Sequence, residues 1–315
     1  MYLQCINKNW YLYQKQKDKK GKIFKRTIAK FGRIKPDFKL PFVYRGMCDD
    51  LIKSIKDKSI NLILTDPPFG ITDNKWDVPP DWKQVAKEYS RILADNGQIA
   101  IFGTIPNILN IYYGFQELFY FRYDCVWYKG VKTAFGVCNN RPLRTHEHIF
   151  IFKKKECDVT NTVFNPKKIG VKGEPYTWVQ GSGSSNYGKS IGGGFITESD
   201  GYRMPESVIN VGGIGYGNKE HMNFPTQKPE RLIGYFVRGL SNINDIILDP
   251  YLGSGTTAKV SMENCRFCIG SEIDPTSYPI MQKRFKTTMK QLDVKWRVDD
   301  GFLQFPLRNM MEGCI

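Results

Sequence analysis

The sequence predicts an α/β fold built on a doubly wound, mostly parallel β-sheet. From about residue 41 onward, strand-like and helix-like patterns alternate, which is typical of such sheets. Several strand patterns are continuous apolar runs, as in INLILT at 60–65, and such runs fit strands that helices cover on both faces. The chain has 315 residues, of which 41% are hydrophobic and 14% aromatic. This composition supplies a sizeable core and excludes a largely disordered chain.

Residues 1–40 come before the alternation and predict a basic β-hairpin. WYLYQKQ and IFKRTIAKFG have strand patterns, and the Gly-containing stretch KDKKGK between them has the composition of a turn. Two interpretations stay open for this N-terminal extension: a solvated accessory hairpin, or an arm that grips a nucleic-acid backbone.

The first half of the predicted sheet domain covers residues 41–153. Its helix pattern at 80–97 places apolar side chains on one stripe and is followed by the stop signal Asn96-Gly97. The strands predicted in this half are 60–65, 98–103, 123–129 and 148–153.

Residues 154–222 break the pattern and predict an inserted recognition segment. The stretches at 181–195 and 211–218 are rich in Gly, Ser and Asn, with Tyr, Phe and Lys between them. A compact domain rarely carries so long an irregular stretch unless it is functional or mobile. A disordered linker is the alternative interpretation.

The alternation resumes over 223–290, the second half of the predicted domain. Its elements are a helix at 228–242, a strand at 244–249, a helix at 255–265, a strand at 266–274 and a helix at 276–290. Residues 291–315 carry no informative pattern and are assigned to a C-terminal tail.

The charge balance favours a polyanionic partner. The chain has 46 Lys and Arg residues against 31 Asp and Glu, a formal net charge of +15, and nucleic acid is the commonest polyanionic partner of basic proteins. No apolar run approaches the roughly 18 residues that span a bilayer, so no membrane partner is expected. The segment MYLQCINKNWYLYQ lacks the apolar region of a secretory signal, and a cytoplasmic location is expected.

Cysteine and histidine spacing predicts no metal site. The eight cysteines do not indicate a disulfide framework in a chain of this length without an export signal. Cys265 and Cys268 form a lone CxxC motif without a second pair at zinc spacing. His146 and His148 point to the same side of a predicted strand, but a third ligand is missing.

The motif ILDPYLGSGTTAKV at 247–260 predicts a ligand site where a strand runs into a Gly-rich turn that opens a helix. Such a turn lets the backbone approach a ligand and directs helix N–H groups at it. About 23 residues after Asp249 stands Glu272, and a carboxylate at that place can accept both hydroxyls of a ribose. A nucleoside-bearing cofactor is therefore indicated; the alternative is an ordinary strand-to-helix turn.

A second motif, ILTDPPFG at 63–70, follows the apolar strand. Pro67 and Pro68 fix the backbone and remove two donors, which leaves the carbonyls of Asp66 and Pro67 to accept hydrogen bonds. Phe69 follows and can stack on a flat ring. Acceptors beside a stacking face suit an exocyclic amino group, although a Pro-Pro turn also simply ends strands.

These motifs in their order resemble the S-adenosylmethionine-dependent DNA amino-methyltransferases of the permuted β group. The resemblance rests on DPPF followed by GITDNKWD, then PTQKPERLI, DPYLGSGTTA and IGSEIDPTSY, and GQIAIFG, VWYKG and RPLRTHEHIFIFKK also fit. The sequence departs from the family pattern in four places. Gly46-Met47 stands for the usual Gly-Asp, Phe224 for His, Phe69 for Tyr and Tyr251 for Phe.

The resemblance implies a Rossmann-like methyltransferase fold and methyl transfer to the exocyclic nitrogen of a base flipped out of double-stranded DNA. N6 of adenine is favoured because the catalytic tetrad begins with Asp, where N4-cytosine enzymes more often have Ser. The residues implied in catalysis are Asp66, Pro67, Pro68 and Phe69.

For the cofactor, the resemblance implies that Glu272 binds the ribose hydroxyls of S-adenosylmethionine, and that Asp249 lies beneath the methionine part. Thr226 and Lys228 would border the same pocket. The turn that cradles the methionine part consists of Gly253, Ser254, Gly255, Thr256 and Thr257.

The expected DNA contacts lie just before the strand at 148–153, at its end, and in the inserted segment. Lys153, Lys154 and Lys155 are expected to neutralise phosphates. The predicted DNA-contacting residues are Arg141, Arg144, His146, Lys153, Lys154 and Lys155. The resemblance also allows a homodimer and a restriction-modification context.

Four other functions remain as alternatives. N4-cytosine methylation would keep the mechanism, and RNA or protein would change the substrate of an amino-methyltransferase. A catalytically inactive nucleic-acid-binding protein on the same scaffold would lose cofactor binding. A nicotinamide dehydrogenase would need a third glycine after Gly255 and would leave the DPPF motif without a role.

Overall fold

The computed structural model describes residues 1–7, 9–17, 22–32, 38–40, 42–70, 77–133, 136, 138–158, 160–179, 196–292, 295–297 and 302–304. The chain divides into two compact units. The larger unit contains Met1–Phe164 and Ser207–Ile315, and the smaller unit is Asn165–Glu206.

The strands are, in chain order, β1 (Tyr2–Ile6), β2 (Asn9–Lys17), β3 (Ile23–Gly32), β4 (Phe38–Leu40), β5 (Val43–Arg45), β6 (Ile60–Thr65), β7 (Leu93–Gly103), β8 (Phe119–Thr133), β9 (Arg144–Lys154), β10 (Val171–Lys172), β11 (Tyr176–Val179), β12 (Ile196–Ser199), β13 (Tyr202–Arg203), β14 (Val208–Asn210), β15 (Ile246–Asp249), β16 (Phe267–Glu272), β17 (Lys295–Arg297) and β18 (Phe302–Gln304). The α-helices are α1 (Cys48–Ser54), α2 (Trp82–Ile92), α3 (Asn107–Phe115), α4 (Glu230–Leu240), α5 (Thr256–Glu263) and α6 (Ser277–Gln291).

A nine-stranded sheet forms the centre of the larger unit, in the order β14-β8-β9-β7-β6-β15-β16-β5-β4. Among the described strands, β14–β8 and the four successive pairs from β7 to β5 are parallel. The pairs β8–β9, β9–β7 and β5–β4 are antiparallel. The prediction of a doubly wound, mostly parallel sheet is therefore confirmed.

Apolar side chains cover both faces of this sheet because successive strand residues point to opposite sides. In β6, Ile63 packs into one buried cluster, whereas Leu62 and Leu64 pack into the other. Helices α1, α2, α3 and α6 contribute to the first cluster and α4 to the second. None of the helices in the described part of the chain has the length and apolar character needed to cross a membrane.

Helix α2 ends earlier than the sequence predicts. Asp81 caps its first turn by accepting hydrogen bonds from Lys83 and Gln84, but the helix stops at Ile92 instead of Gly97. Leu93 already pairs with Ile60 as the start of β7. Tertiary pairing with β6 therefore overrides the helical pattern of the last residues.

The N-terminal extension forms a three-stranded antiparallel sheet, β1-β2-β3. The predicted pairing of the two strands is confirmed in β2 and β3, whereas β1 was not predicted. The predicted turn at 18–21 lies outside the described residues. Leu12, Ile28 and Ala29 are buried in the first core cluster, so this sheet packs on the larger unit.

The smaller unit contains two short antiparallel pairs, β10–β13 and β11–β12. Gly170 donates its N–H to the hydroxyl of Tyr202 at 2.8 Å, and that hydroxyl donates to the carbonyl of Pro166. The smaller unit contains fewer residues than the predicted insert at 154–222, and the other residues of that insert belong to the larger unit. The Gly- and Ser-rich stretch at 181–195 lies outside the described residues.

Candidate active site

The two predicted motifs meet at one edge of the central sheet. Strands β6 and β15 are parallel neighbours, so their carboxyl ends lie side by side. Asp249 ends β15 and Asp66 follows β6 directly. The hydroxyl of Thr65 donates to Asp249 Oδ1 at 3.1 Å and links the two strand ends.

A buried lysine contacts Asp66 from the predicted PTQKP motif. Lys228 is only 8% exposed, and its Nζ donates to Asp66 Oδ2. The other oxygen, Asp66 Oδ1, is buried and accepts no hydrogen bond from the described residues. Lys228 thus binds one oxygen of the Asp66 carboxylate, and the other has no hydrogen-bond donor among the described residues.

Glu147 contacts the same lysine and was not predicted as a site residue. Its Oε2 lies 3.4 Å from Lys228 Nζ, and its Oε1 lies 3.1 Å from the Nζ of Lys129. Lys228 Nζ also lies 5.4 Å from the ring centre of Phe102 and 5.9 Å from that of Trp127. In the sequence, Glu147 stands between two histidines, a pattern for which no metal site was predicted and which gave no indication of a role for Glu147.

The charges in this network shift one another's pKa values. Burial raises the pKa of Asp66, although the ammonium of Lys228 opposes this shift, and the Glu147 carboxylate adds to it. Burial alone would lower the pKa of Lys228, but the carboxylates of Asp66 and Glu147 outweigh it and raise that pKa. Burial alone would raise the pKa of Glu147, but Lys228 and Lys129 outweigh it and lower that pKa.

Asp249 lies deeper at the same edge. It is 3% exposed, and it accepts the N–H of Tyr251 at 3.2 Å in addition to the Thr65 hydroxyl. Burial raises the pKa of Asp249 to about 7, although these hydrogen bonds oppose the shift. Its carboxyl therefore changes protonation near neutral pH.

The turn after β15 has the backbone that its glycines permit. Gly253 and Gly255 have φ of 52° and 78°, which L side chains rarely adopt. A Cβ on Gly255 would lie 2.8 Å from Met281 Cγ, so glycine also allows α6 to pack closely. Thr256 begins α5 and accepts a hydrogen bond at 2.6 Å from the buried Arg284, which the sequence did not indicate.

Glu272 ends β16, the neighbour of β15, and reaches the same turn. Its Oε2 accepts the N–H of Gly253 at 2.8 Å, and its Oε1 accepts the N–H of Asp274 at 2.8 Å. Burial raises the pKa of Glu272, although these backbone donors oppose the shift. The structure therefore brings Glu272 and the Gly-rich turn together, as the sequence predicts. Ser254 and Thr257 are buried in and after the turn, 4% and 5% exposed.

The residues after Asp66 form the side of the site. Pro67 is buried and Pro68 is half-buried. Phe69 is half-buried and packs against the second core cluster. Gly70 donates its N–H to the buried Asp77 at 2.7 Å, which fixes the end of the tetrad; residues 71–76 between them lie outside the described residues.

The PTQKP segment is held by Gln227 more than by Thr226. Gln227 donates from Nε2 to the carbonyl of Glu220 at 2.7 Å and accepts the N–H of Met222 at 3.1 Å. Thr226 is exposed, with φ of 60°. Of the two residues predicted to border the pocket, Lys228 therefore points into the site.

The predicted DNA contacts are divided between the two edges of the sheet. Strand β9 is antiparallel to β7, with His148 opposite Gly103 and Phe152 opposite Ile99. The start of β9 therefore lies at the edge of the site, and its end lies at the opposite edge. The exposed Arg141, the half-buried Arg144 and the exposed His146 lie at or just before the start of β9.

Lys153 and Lys154 do not fit the predicted phosphate contacts. They are 0% and 1% exposed; Lys153 donates to the carbonyl of Asp95, and Lys154 Nζ lies 3.3 Å from Asp95 Oδ1. Their prediction is corrected, because these buried amino groups hold the start of β7. Lys155 is exposed but also lies at the edge opposite Asp66.

The two histidines of β9 do face the same side, with ring centres 5.3 Å apart. His148 Nδ1 lies 3.5 Å from Asp124 Oδ2. Within the described ranges, neither histidine belongs to a group of three residues with metal-ligating geometry.

Sequence comparison matches a family model described as DNA methylase to residues 60–283. The type II methyltransferase M.HpaI of Haemophilus parainfluenzae is 29% identical over 268 residues, which cover 79% of this chain and 76% of that protein. The DNA adenine methyltransferase YhdJ of Escherichia coli is 29% identical over 257 residues, covering 77% of this chain and 79% of that protein.

Solved structures share the fold. The cytosine-N4-specific PvuII DNA methyltransferase matches with a TM-score of 0.57 at 17% identity, covering 77% of this chain and 85% of that one. The M1.HpyAVI–SAM complex matches with a TM-score of 0.51 at 20% identity, covering 77% of this chain and 98% of that one.

Proposed function

This chain belongs to the DNA methylase family, and from this premise we propose that it transfers a methyl group from S-adenosylmethionine to the exocyclic N6 of adenine in double-stranded DNA. The observation that carries the proposal is the buried Oδ1 of Asp66, which has no hydrogen-bond partner among the described residues, at the strand edge that also holds the Gly-rich turn. With the carbonyl of Pro67, the next residue in the chain, it would supply two acceptors for the two protons of an amino group.

The residues around the Gly-rich turn fit S-adenosylmethionine. Each oxygen of Glu272 accepts a backbone N–H, and a carboxylate has about four acceptor positions, so capacity remains for two ribose hydroxyls. The turn from Gly253 to Gly255 leads into α5, whose first N–H groups favour a carboxylate such as that of methionine. When bound, the cofactor supplies a methyl group on a positively charged sulfur, and M1.HpyAVI has been solved as a complex with it.

Asp66 and Pro67 would activate the amino nitrogen. Its lone pair is delocalised into the base, so the nitrogen is a poor nucleophile. Hydrogen bonds from both amino protons to the Asp66 carboxylate and the Pro67 carbonyl would favour the pyramidal nitrogen. The N–C bond would form as the sulfur–methyl bond breaks, and the nitrogen would release one amino proton towards the Asp66 carboxylate. These acceptors are in place before reaction, which is electrostatic preorganisation for the transition state.

Lys228 and Glu147 would set the orientation and charge of Asp66. Lys228 holds Oδ2, which leaves Oδ1 as the oxygen that would accept a hydrogen bond from the substrate. Glu147 shares the same ammonium, so Lys228 does not neutralise Asp66 completely. We assign both as positioning residues, because they act through Asp66.

A base inside a duplex cannot present its amino group, so the target base must be flipped out at a cost of a few kcal/mol. Stacking on Phe69, worth roughly 1–3 kcal/mol, would offset this cost. Arg141, Arg144 and His146 at the start of β9 are the proposed DNA contacts near the flipped base, together with the inserted segment. Homodimerisation, a cytoplasmic location and a restriction-modification context remain predictions.

Adenine is proposed over cytosine for two reasons. The tetrad begins with Asp66, and a relative that is 29% identical is a DNA adenine methyltransferase. A fold neighbour is cytosine-N4-specific, and the same acceptors would serve that amino group, so the base must be identified directly.

The test is incubation of the protein with methyl-labelled S-adenosylmethionine and unmethylated plasmid DNA, followed by digestion to nucleosides. We expect the label in N6-methyladenine; label in N4-methylcytosine would keep the mechanism and correct the base. Cofactor binding without labelled nucleoside would indicate RNA or protein as substrate. Loss of cofactor binding as well would favour a catalytically inactive scaffold.

A further inference from the structure

The positive charge of the protein is concentrated in its N-terminal sheet. Residues 1–32 contain nine lysines and arginines and one aspartate, a net charge of +8, which is more than half of the +15 of the whole chain. The strands β1, β2 and β3 contain no acidic residue. The charge balance that suggested nucleic acid therefore comes mainly from a part of the chain that the catalytic site does not use.

The lysines lie on one face of this sheet. Along β2, Leu12 and Gln14 are buried, whereas Tyr11, Tyr13 and Lys15 are half-buried or exposed. The register places Lys25 opposite Lys15 and Lys30 opposite Tyr11, and cross-strand partners point to the same face. Lys15, Lys25 and Lys30 thus share an exposed outer face with the two tyrosines.

The inner face fixes this sheet to the edge opposite the active site. Gln14 donates to the carbonyl of Asn244, just before β15, at 2.8 Å. Arg26 donates to the carbonyl of Lys58, just before β6, at 2.9 Å. The sheet therefore lies at the amino ends of β6 and β15, whereas the candidate site lies at their carboxyl ends.

The cross-strand pairing of Lys15 with Lys25 opposes folding through charge repulsion. Like charges directly opposite each other on neighbouring strands are destabilising, and Lys15 and Lys25 are such a pair. Phosphates bound on this face would attract both ammonium groups and so offset the repulsion between them.

The tyrosines point to backbone contact instead of base stacking. Tyr11 and Tyr13 stack on each other with ring centres 5.9 Å apart. Lys30 Nζ lies 5.9 Å from the Tyr11 ring centre, and Lys25 Nζ lies 5.7 Å from that of Tyr13. Ring faces that already contact a ring or an ammonium offer little area to bases. Lys25 also donates to Gln4 Oε1 at 3.1 Å, and the side chains of Lys15, Lys25 and Lys30 are exposed to solvent.

We propose that this outer face is a second DNA-binding surface, which contacts the phosphates of duplex DNA without reading its sequence. Strand β6 has six residues and so separates the two edges by about 20 Å. A duplex that lies across the carboxyl edge, perpendicular to the strands, would not reach this surface. In that orientation the surface would bind a stretch of DNA other than the one that presents the target base.

The test compares two triple variants with the same change of charge. Lys15→Gln/Lys25→Gln/Lys30→Gln removes the proposed contacts, and Lys53→Gln/Lys83→Gln/Lys87→Gln removes exposed lysines from α1 and α2 as the control. Binding to a duplex is measured by fluorescence anisotropy at several salt concentrations. We expect the first variant to bind on the order of 10-fold more weakly, with a salt slope shallower by about 2–3, since each phosphate contact contributes about 0.9.

The control variant should retain the affinity and the salt slope of the wild type. An equal loss in both variants, or no loss in the first, would overturn the proposal. The proposal would also be overturned if single-stranded RNA competed with the duplex for binding and a second duplex did not. Methyl transfer and cofactor binding are measured on the same variants, so a failure of the proposed reaction is distinguishable from a failure of this surface.

Discussion

Lysines occur in opposite environments at the two edges of the central sheet. At the carboxyl edge, Lys228 is 8% exposed and lies between the carboxylates of Asp66 and Glu147. At the amino edge, Lys15 and Lys25 are exposed and face each other on a sheet without acidic residues. The buried lysine is fixed between two carboxylates, whereas the two exposed lysines belong to the surface that we propose to bind DNA.

Lys154 shows that position at an edge does not decide the role. It lies at the amino edge like Lys15, yet it is 1% exposed and paired with Asp95 and Glu156. Burial and partners therefore distinguish structural from binding lysines, and the following variants test this distinction.

The largest effect is expected from Asp66→Ala. Loss of its carboxylate removes an acceptor from the transition state, and the rate of methyl transfer should fall roughly 10³-fold. Cofactor affinity, measured by isothermal titration calorimetry, should stay within a few-fold, because Glu272 and the Gly-rich turn are intact. Normal turnover would refute the assignment of Asp66.

Lys228→Met should destabilise the protein by about 3 kcal/mol, since removing one partner of a buried ion pair leaves uncompensated charge. The matched variant Lys25→Met at the amino edge should change the free energy of unfolding by less than about 0.5 kcal/mol. Both changes in the free energy of unfolding are to be measured by urea denaturation. Lys228→Met should also move the acidic limb of the pH–rate profile to higher pH, because the ammonium lowers the pKa of Asp66. Similar unfolding free energies for the two variants would remove the distinction between the edges.

Asp249→Asn should change how stability depends on pH. Burial raises the pKa of Asp249 to about 7, so the folded state binds more protons than the unfolded state. The stabilisation is fully present at a pH below the pKa that Asp249 has in the unfolded state. As the pH rises from there to about 7, up to roughly 4 kcal/mol of the free energy of unfolding is lost. The variant should lose less stability over this range in urea denaturation at each pH; an unchanged slope would contradict the buried environment of this carboxyl.

Glu147→Gln should have the smallest effect. Its shift of the acidic limb of the pH–rate profile should be opposite in direction to that of Lys228→Met. The Glu147 carboxylate raises the pKa of Asp66, so its loss should move the acidic limb of kcat/KM to lower pH, whereas Lys228→Met moves it higher. Glu147→Asp retains the charge and should keep the wild-type limb. A shift in the same direction for both Glu147→Gln and Lys228→Met would exclude an action through Asp66.

Local patterns in the sequence were sufficient for the two motifs and for most strands of the central sheet, but not for β1, α1 or α3. The apolar run at 60–65 is strand β6, because a strand covered on both faces requires such a run. Gly253 and Gly255 were recognisable because few other residues adopt their backbone. The neighbourhood of Asp66 and Asp249 followed from the rule that sites form where strand order reverses.

Only the tertiary structure decided which charged side chains meet. Lys228 contacts Asp66 across 162 residues of sequence, and Glu147 joins them because β9 runs antiparallel beside β7. The same strand direction takes Lys153 and Lys154 to the far edge and buries them. Periodicity is a pattern of near neighbours in the chain. Burial and ion pairing depend instead on the order and register of the strands, and no local pattern contains that information.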